Sequence, residues 1–323
     1  MNSQMGIKEV AELAGVSVST VSKVLKNYSS VSDATREKVL KVIKETGYIP
    51  NAVASALSSK TNNRIALYIY VNDRYQQIDE INMMYIMGAF DKARELGLEL
   101  VTIFAGSVSH YTKEESLLYI RSQHVDSVIV FGLNKNDERV HYLLQQGLKL
   151  VVVDADITTE NVSCVMIDHC RGQYEVAKAI TREGDKVLYL AGKKDGYVTD
   201  MRLHGMAKLA EERNLKLTVR HGDFSEEKAF EIVRKYGQDY DDIVCASDLM
   251  AIGAKNALPS DTKIRLSGFD GIRLMSYVAP DVLTCRQDFY QIGAEALLEA
   301  EKLRQGEHGE RVIVPYTITT ISR

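Results

Sequence analysis

The sequence predicts an α/β protein in which a small all-α helix-turn-helix head precedes a two-lobe core built on two parallel sheets. Three observations carry this expectation. Apolar residues recur at helical spacing through residues 1–50. From Arg64 onward, short β-branched runs alternate with amphipathic helical stretches. That alternation breaks once, where two strand-like runs follow one another with only a polar stretch between them.

In the head, Ile7, Val10, Ala11 and Ala14 lie at helical spacing, Gly15 interrupts them, and Val16, Val21, Val24 and Leu25 resume the pattern. Gly15 supplies the positive φ of a tight helix-to-helix turn, and Ser17 is placed to cap a second helix expected from about Val18 to Leu25. The outward face of that helix carries Val18, Ser19, Ser22 and Lys23, small and basic side chains that approach base edges and phosphates without steric conflict. A third helix follows, with Ser32 as its N-cap and Val39, Val42 and Ile43 as its buried stripe. Together these make a helix-turn-helix whose second helix enters the major groove, so the expected partner is double-stranded DNA. Charge agrees, since residues 1–60 carry a net +3 and the remainder −7, within a total of −4. A positive head on a negative body suits a DNA module fused to something that stays off DNA.

Pro50 ends the third helix. Asn51 to Leu57 suits one more short helix, and Ser58 to Asn63 is a polar linker. The expected domains are therefore a head at 1–50, a hinge helix and linker at 51–63, and a core at 64–323. Core strands are expected at Ile65 to Val71, Leu98 to Phe104, Ser127 to Phe131, Leu150 to Asp154, Ser163 to Ile167, Val187 to Ala191, Lys216 to Val219, Ile243 to Ala246, Lys263 to Ser267 and Val282 to Cys285. Helices between them include Met83 to Leu96, Gln173 to Glu183, Met201 to Asn214, Glu226 to Tyr236 and Phe289 to Arg304. Leu150 to Asp154 leads into Ser163 to Ile167 without a helix, which reads as the crossing between two lobes. Ligands of such folds bind at the carboxyl ends of strands, here in a cleft between the lobes.

Four scattered cysteines, at 164, 170, 245 and 285, show neither a CxxC pair nor zinc spacing and read as reduced thiols. Cys170 neighbours His169 and Asp168, but adjacent positions seldom converge on one metal, and no metal or cofactor is expected. No apolar run approaches the roughly 18 residues that span a bilayer, and no basic-then-apolar signal pattern opens the chain, so the expected location is the cytoplasm without membrane contact. The glycine-rich, nucleophile-elbow and metalloprotease motifs of common enzymes are absent, so no catalytic residue is expected.

Ile7 to Lys23, Val31 to Val39 and Gly47-Tyr48-Ile49-Pro50-Asn51-Ala52-Val53-Ala54 resemble the DNA-binding head of the lactose and galactose repressor (LacI/GalR) family. The resemblance continues through Ala246 to Ala254, Ser267-Gly268-Phe269-Asp270-Gly271 and Leu283 to Asp288, and so covers nearly the whole chain. It implies a hinge helix and a core like periplasmic sugar-binding proteins, with discontinuous lobes at approximately 64–161 plus 288–313 and 162–287 plus 314–323. It also implies a homodimer on a pseudopalindromic DNA operator and a small-molecule effector between the lobes.

Carried over by position, the resemblance assigns base reading to Val18, Ser19 and Lys23, and phosphate contacts to Thr20, Ser22 and Thr35, with Ser17 and Asn51 in the same DNA-binding set. Leu57 matches the leucine that paired hinge helices wedge into the minor groove. Lys23 stands where arginine is usual, and a point charge reads guanine less selectively than a planar fork. Ser55 likewise replaces an arginine common in this hinge. Asp154, Arg202, Ser247, Asp270 and Gln287 fall where the family binds its effector, and donors and acceptors of these kinds suit a polyol. An aromatic loop usual after the first core strand is replaced by Asn72 to Glu80, which leaves Tyr75 as the nominee for stacking on a sugar in a chain without tryptophan. The expected function is sequence-specific regulation of transcription, most often repression, under control of a sugar or sugar derivative. The alternative is a core that acts mainly through a protein corepressor of the catabolite-control kind.

Overall fold

Three helices form the head where the apolar spacing predicts them: α1 (Ile7–Ala14), α2 (Val18–Leu25) and α3 (Asp33–Thr46). The computed structural model describes residues 6–25, 31–46, 48, 63–70 and 80–321, so the expectations for Asn51, Ser55, Leu57 and Tyr75 lie outside the described residues. Gly15 adopts φ 62°, and its N–H bonds to the Glu12 carbonyl at 3.0 Å, closing the turn between α1 and α2. The Ser17 hydroxyl accepts the Thr20 N–H at 3.1 Å, the capping bond expected of it. Val10, Ala14, Val21 and Val39 are completely buried and make up the small head core with Ala11 and Val24.

Gly15→Val is expected to destabilise the head by about 1–2 kcal/mol, the cost of a left-handed backbone for a side-chain-bearing residue. Gly15→Asn, which tolerates that region, should cost less in the same urea titration of head unfolding. Equal losses would show that the turn is not what limits the substitution.

The chain divides into two compact units, Met1–Asn62 and Asn63–Arg323. The second begins with β1 (Arg64–Ile69), α4 (Glu80–Leu96), β2 (Glu99–Phe104), α5 (Lys113–Ser122), β3 (Ser127–Phe131), α6 (Glu138–Gln145), β4 (Leu150–Val153) and β5 (Val162–Met166). It continues with α7 (His169–Ile180), β6 (Lys186–Ala191), α8 (Tyr197–Glu212), β7 (Lys216–His221), α9 (Glu226–Tyr236), β8 (Asp242–Cys245), α10 (Asp248–Ala257), β9 (Arg265–Ser267), α11 (Met275–Val278) and β10 (Leu283–Gln287). It closes with α12 (Phe289–Gln305), β11 (Arg311–Ile313) and β12 (Tyr316–Thr320).

One sheet has the order β11-β5-β4-β3-β1-β2 and is wholly parallel, while the other has the order β12-β10-β9-β8-β6-β7, with only β12 antiparallel to its neighbour. Alternation along the first sheet divides its side chains cleanly. Ile65, Leu67, Ile129, Phe131, Val151 and Val165 pack under α4 and α12, whereas Ala66, Tyr68, Val128, Val130, Val152 and Cys164 pack against α5 and α6. Burial on both faces is why these strands read as continuous apolar runs. A Cβ on Gly88 would collide with the Tyr290 carbonyl and one on Gly293 with the Tyr85 carbonyl, so α4 and α12 cross with their backbones in contact. Gly205 against the Cys170 carbonyl, and Gly253 against the Glu226 carbonyl, allow the same close crossing in the second lobe.

The lobe junction differs from the expectation. Leu150 to Asp154 and Ser163 to Ile167 do not belong to different lobes: β4 and β5 are neighbours in one sheet, with Leu150 paired to Val162. Residues 154–161 make the parallel crossover without a helix, where about a dozen residues are the rule. The chain therefore passes to the second lobe only after β5, and α7 opens that lobe by packing with α8. It returns after β10, so α12 and β11 complete the first lobe, and it passes once more to place β12 in the second.

Candidate functional site

On α2 the expected DNA-facing residues separate from the core. Val18, Ser19 and Lys23 are exposed while Val21 and Val24 are buried on the opposite side, and Thr20 and Ser22 lie half-buried between them. The Ser17 hydroxyl is within hydrogen-bond distance of Ser19 Oγ (2.7 Å) and Thr20 Oγ1 (2.8 Å), which ties the first turn of α2 into one polar cluster. Thr35 sits in the first turn of α3, its hydroxyl 2.9 Å from Ser32 Oγ.

In the core, strand ends and helix starts of both lobes enclose a cavity of about 310 Å³. Asp154 follows β4, Arg202 lies in the second turn of α8, Ser247 caps α10, Asp270 lies beyond β9 and Gln287 ends β10, and all five line it. Sequence positions up to 133 apart thus meet in one place, as strand-end ligands should. The two aspartates adopt left-handed backbone, φ 60° at Asp154 and φ 119° at Asp270, a costly conformation concentrated at the site.

A continuous polar chain crosses the floor. The Tyr85 hydroxyl donates to Asp154 Oδ2 at 2.7 Å, and His169 Nε2 lies 2.8 Å from Asp154 Oδ1. Arg202 Nε lies 3.4 Å from His169 Nδ1, and Arg202 Nη1 is 3.2 Å from Asp270 Oδ1 and donates to the Ala246 carbonyl. Gln287 Nε2 donates to the same Asp270 oxygen at 3.0 Å. The guanidinium also stacks on Phe269, 3.8 Å from the ring centroid. Burial pushes the Asp154 carboxyl up, but in acid the charge of a protonated His169, then the hydrogen bonds of His169 and Tyr85 and the Arg202 charge, outweigh it and hold it below the usual range. Asp270 comes out the other way: burial raises its carboxyl despite the pull of Arg202.

Behind the floor, Asp248 is fully buried and accepts the N–H groups of Gly271 (2.7 Å) and Ile272 (2.8 Å) and the Thr284 hydroxyl (2.7 Å). It thereby pins the loop that carries Asp270. The Ser247 hydroxyl accepts the Met250 N–H at 3.3 Å, so it caps α10 as well as lining the cavity. Three further contacts join the lobes at the rim: the Arg273 N–H to the Glu80 carboxylate (2.9 Å), the Lys135 N–H to the Asp195 carbonyl (2.9 Å), and an ion pair of Lys135 with Asp200.

Several residues of the site escaped sequence reasoning. Tyr85 sits on an amphipathic helix with nothing to mark its hydroxyl, and His169 appeared only beside Cys170. Phe224 reaches the cavity from a turn in which Asp223 and Phe224 both have positive φ, and its ring fills the space a side chain on Gly192 would need. The aromatic wall therefore comes from Tyr70, Tyr85, Tyr197, Phe224 and Phe289 among the described residues. An aromatic directly after Gly222-Asp223, just past the end of β7, was the legible signal.

A family profile described as "Bacterial regulatory proteins, lacI family" matches residues 6–51, and one described as "Periplasmic binding proteins and sugar binding domain of LacI family" matches residues 81–315. The chain is 28% identical over 314 residues to the HTH-type transcriptional regulator RegA of Clostridium saccharobutylicum, covering 92% of each chain. It is also 28% identical over 303 residues to the HTH-type transcriptional regulator CelR of Thermobifida fusca, covering 90% of this chain and 88% of that one. Among solved structures, the Lac repressor bound to ONPG in the repressed state matches with a TM-score of 0.83 at 25% identity, covering 98% of this chain and 99% of that one.

Proposed function

The chain belongs to the lacI family of bacterial regulatory proteins, and from that premise we propose that it works in the cytoplasm as a homodimeric repressor whose grip on a pseudopalindromic operator is set by a small polar effector in the cleft. It is a DNA-binding transcriptional regulator and not an enzyme. Val18, Ser19 and Lys23 read bases, while Thr20, Ser22 and Thr35 fix register on the phosphates, with Ser17 and Asn51 in the same DNA-binding set. Leu57 wedges into the central base step. Asp154, Arg202, Ser247, Asp270 and Gln287 hold the effector, a sugar or sugar derivative, against the aromatic wall that Phe224 extends.

The observation that carries the effector reading is the convergence of Asp154, Arg202, Ser247, Asp270 and Gln287, from both lobes, on the lining of one cavity. Asp154 and Asp270 add carboxylate oxygens, so the site calls for hydroxyls that donate. An effector that prefers one lobe arrangement shifts DNA affinity by its differential affinity, typically about 1–3 kcal/mol. Supporting the dimer, Met83, Met87 and Phe90 form an exposed apolar stripe along one face of α4.

A panel of sugars, sugar phosphates and purines screened by thermal shift is expected to give a polyol that raises the melting temperature and changes binding to an operator found by selection from random duplexes. Steep loss of duplex binding with salt should accompany it. A panel without any shift would overturn effector control. Leu57→Ala is expected to weaken operator binding by about 1–2 kcal/mol, through loss of the wedge, with effector affinity intact; an unchanged gel-shift titration would sink the wedge role.

A further inference from the structure

His169 is completely buried between the lobes, immediately after the chain crosses from β5 into the second lobe. On one side stands the first lobe's Asp154, 2.8 Å from Nε2, and on the other the second lobe's Arg202, 3.4 Å from Nδ1. A carboxylate only accepts hydrogen bonds and a guanidinium only donates them. The ring satisfies both neighbours in one form alone: proton on Nε2, lone pair on Nδ1.

We propose that His169 is a positioning residue, a neutral donor–acceptor bridge that holds Asp154 of one lobe in register with Arg202 of the other, and that a second proton on its ring uncouples them. With both nitrogens protonated, Nδ1 presents an N–H to a guanidinium that offers only N–H groups, so the Arg202 contact has to break. Arg202 also carries the link to Asp270, and the disturbance therefore runs along the whole floor.

The charged groups facing the ring are Asp154 at the end of β4, Arg202 from α8 and Asp168 from its own segment, with Asp270 beyond Arg202 and the Phe269 ring stacked 6.0 Å away. The carboxylates favour the imidazolium, while burial and Arg202 oppose it. Burial is the largest of these effects and holds the imidazole below its usual range. The unfolded chain takes up this proton below about pH 6.5 while the folded chain does not, so stability is lost as pH falls through that region. An amide side chain offers one donor and one acceptor without titrating, so asparagine or glutamine at 169 should keep the bridge and remove its acid sensitivity.

The bridge matters for regulation only if the cleft is the effector site, but its test needs no ligand, so a failed sugar panel leaves the bridge standing. Full-length protein labelled with ¹⁵N-histidine is compared with His169→Asn, the resonances missing from the variant identifying the ring. The expected result is an Nε2–H tautomer that persists below about pH 6.5; an Nδ1–H tautomer, or an imidazolium at neutral pH, would overturn the proposal. Melting temperatures are then followed from about pH 7.5 to 5.5, across the ordinary histidine titration. Wild type should fall more steeply than His169→Gln, which should match it at the upper end, while His169→Leu should be lower throughout. Parallel slopes for wild type and His169→Gln would remove the titrating role.

Discussion

Replacing Arg202 by methionine is expected to destabilise the core by about 3–5 kcal/mol at neutral pH, the usual effect of stripping a buried charge of its partner, and to abolish the response to effector. Methionine keeps much of the packing on Phe269 but removes the charge that pairs with Asp270, leaving it only the Gln287 amide, and takes the Arg202 donor from the Ala246 carbonyl. The pH dependence should identify the cause. Burial already raises the Asp270 carboxyl against the pull of Arg202, and loss of the guanidinium lifts it further. A carboxyl raised in the folded state contributes stability that is present below its unfolded value and lost as pH rises through its folded value. The deficit relative to wild type should therefore be largest at neutral pH and shrink on acidification. Urea titrations at neutral pH and near pH 5 check this; a deficit that does not change with pH would place the loss in packing instead.

Asp248→Ala is expected to cost about 3 kcal/mol, since it leaves two backbone N–H groups and a hydroxyl unpaired at roughly 1 kcal/mol or more each. The groups are those of Gly271, Ile272 and Thr284. Asp248→Asn keeps an amide oxygen toward the two N–H groups and turns its NH2 toward the Thr284 hydroxyl, which can rotate to accept, so most of the stability should return. Burial, and after it the Asp270 charge, raises the Asp248 carboxyl, so a neutral replacement suits the site. Because Asp248 fixes the loop that carries Asp270, effector affinity should fall with alanine and recover with asparagine. Equal losses for the two variants in denaturation would show that Asp248 does not act through these bonds.

The head was legible almost to the residue because its information is local. Apolar spacing fixes each helix, Gly15 and Ser17 mark the turn, and the buried set matches the residues read from the pattern. Most core strands were legible for the opposite reason: buried on both faces, they spell unbroken β-branched runs. The lobe junction was misread because a helix-free link normally signals a change of sheet, and residues 154–161 break that habit. Five cavity residues could be placed by their position at strand ends and by resemblance. His169 and Tyr85 could not, because their chemistry comes from Asp154, which lies 15 and 69 positions away respectively. Nothing in the local sequence marks such a meeting.

The interleaving of the lobes also sets an order of events during synthesis. The head's apolar cluster lies within residues 7–48 and can close as soon as that stretch leaves the ribosome. The first lobe must wait: one face of its sheet is covered by Ile292, Ala296, Leu297, Ala300 and Leu303 of α12, made long after strands β1 to β5. The second lobe waits longer still, for β12 to pair with β10. Through most of translation the nascent chain therefore carries a finished DNA-binding head beside a core with bare apolar sheet faces, the kind of surface that chaperones engage. Contacts between residues so far apart in sequence also form slowly, so a regulator of this design becomes responsive only after β12 has been released and both lobes have closed.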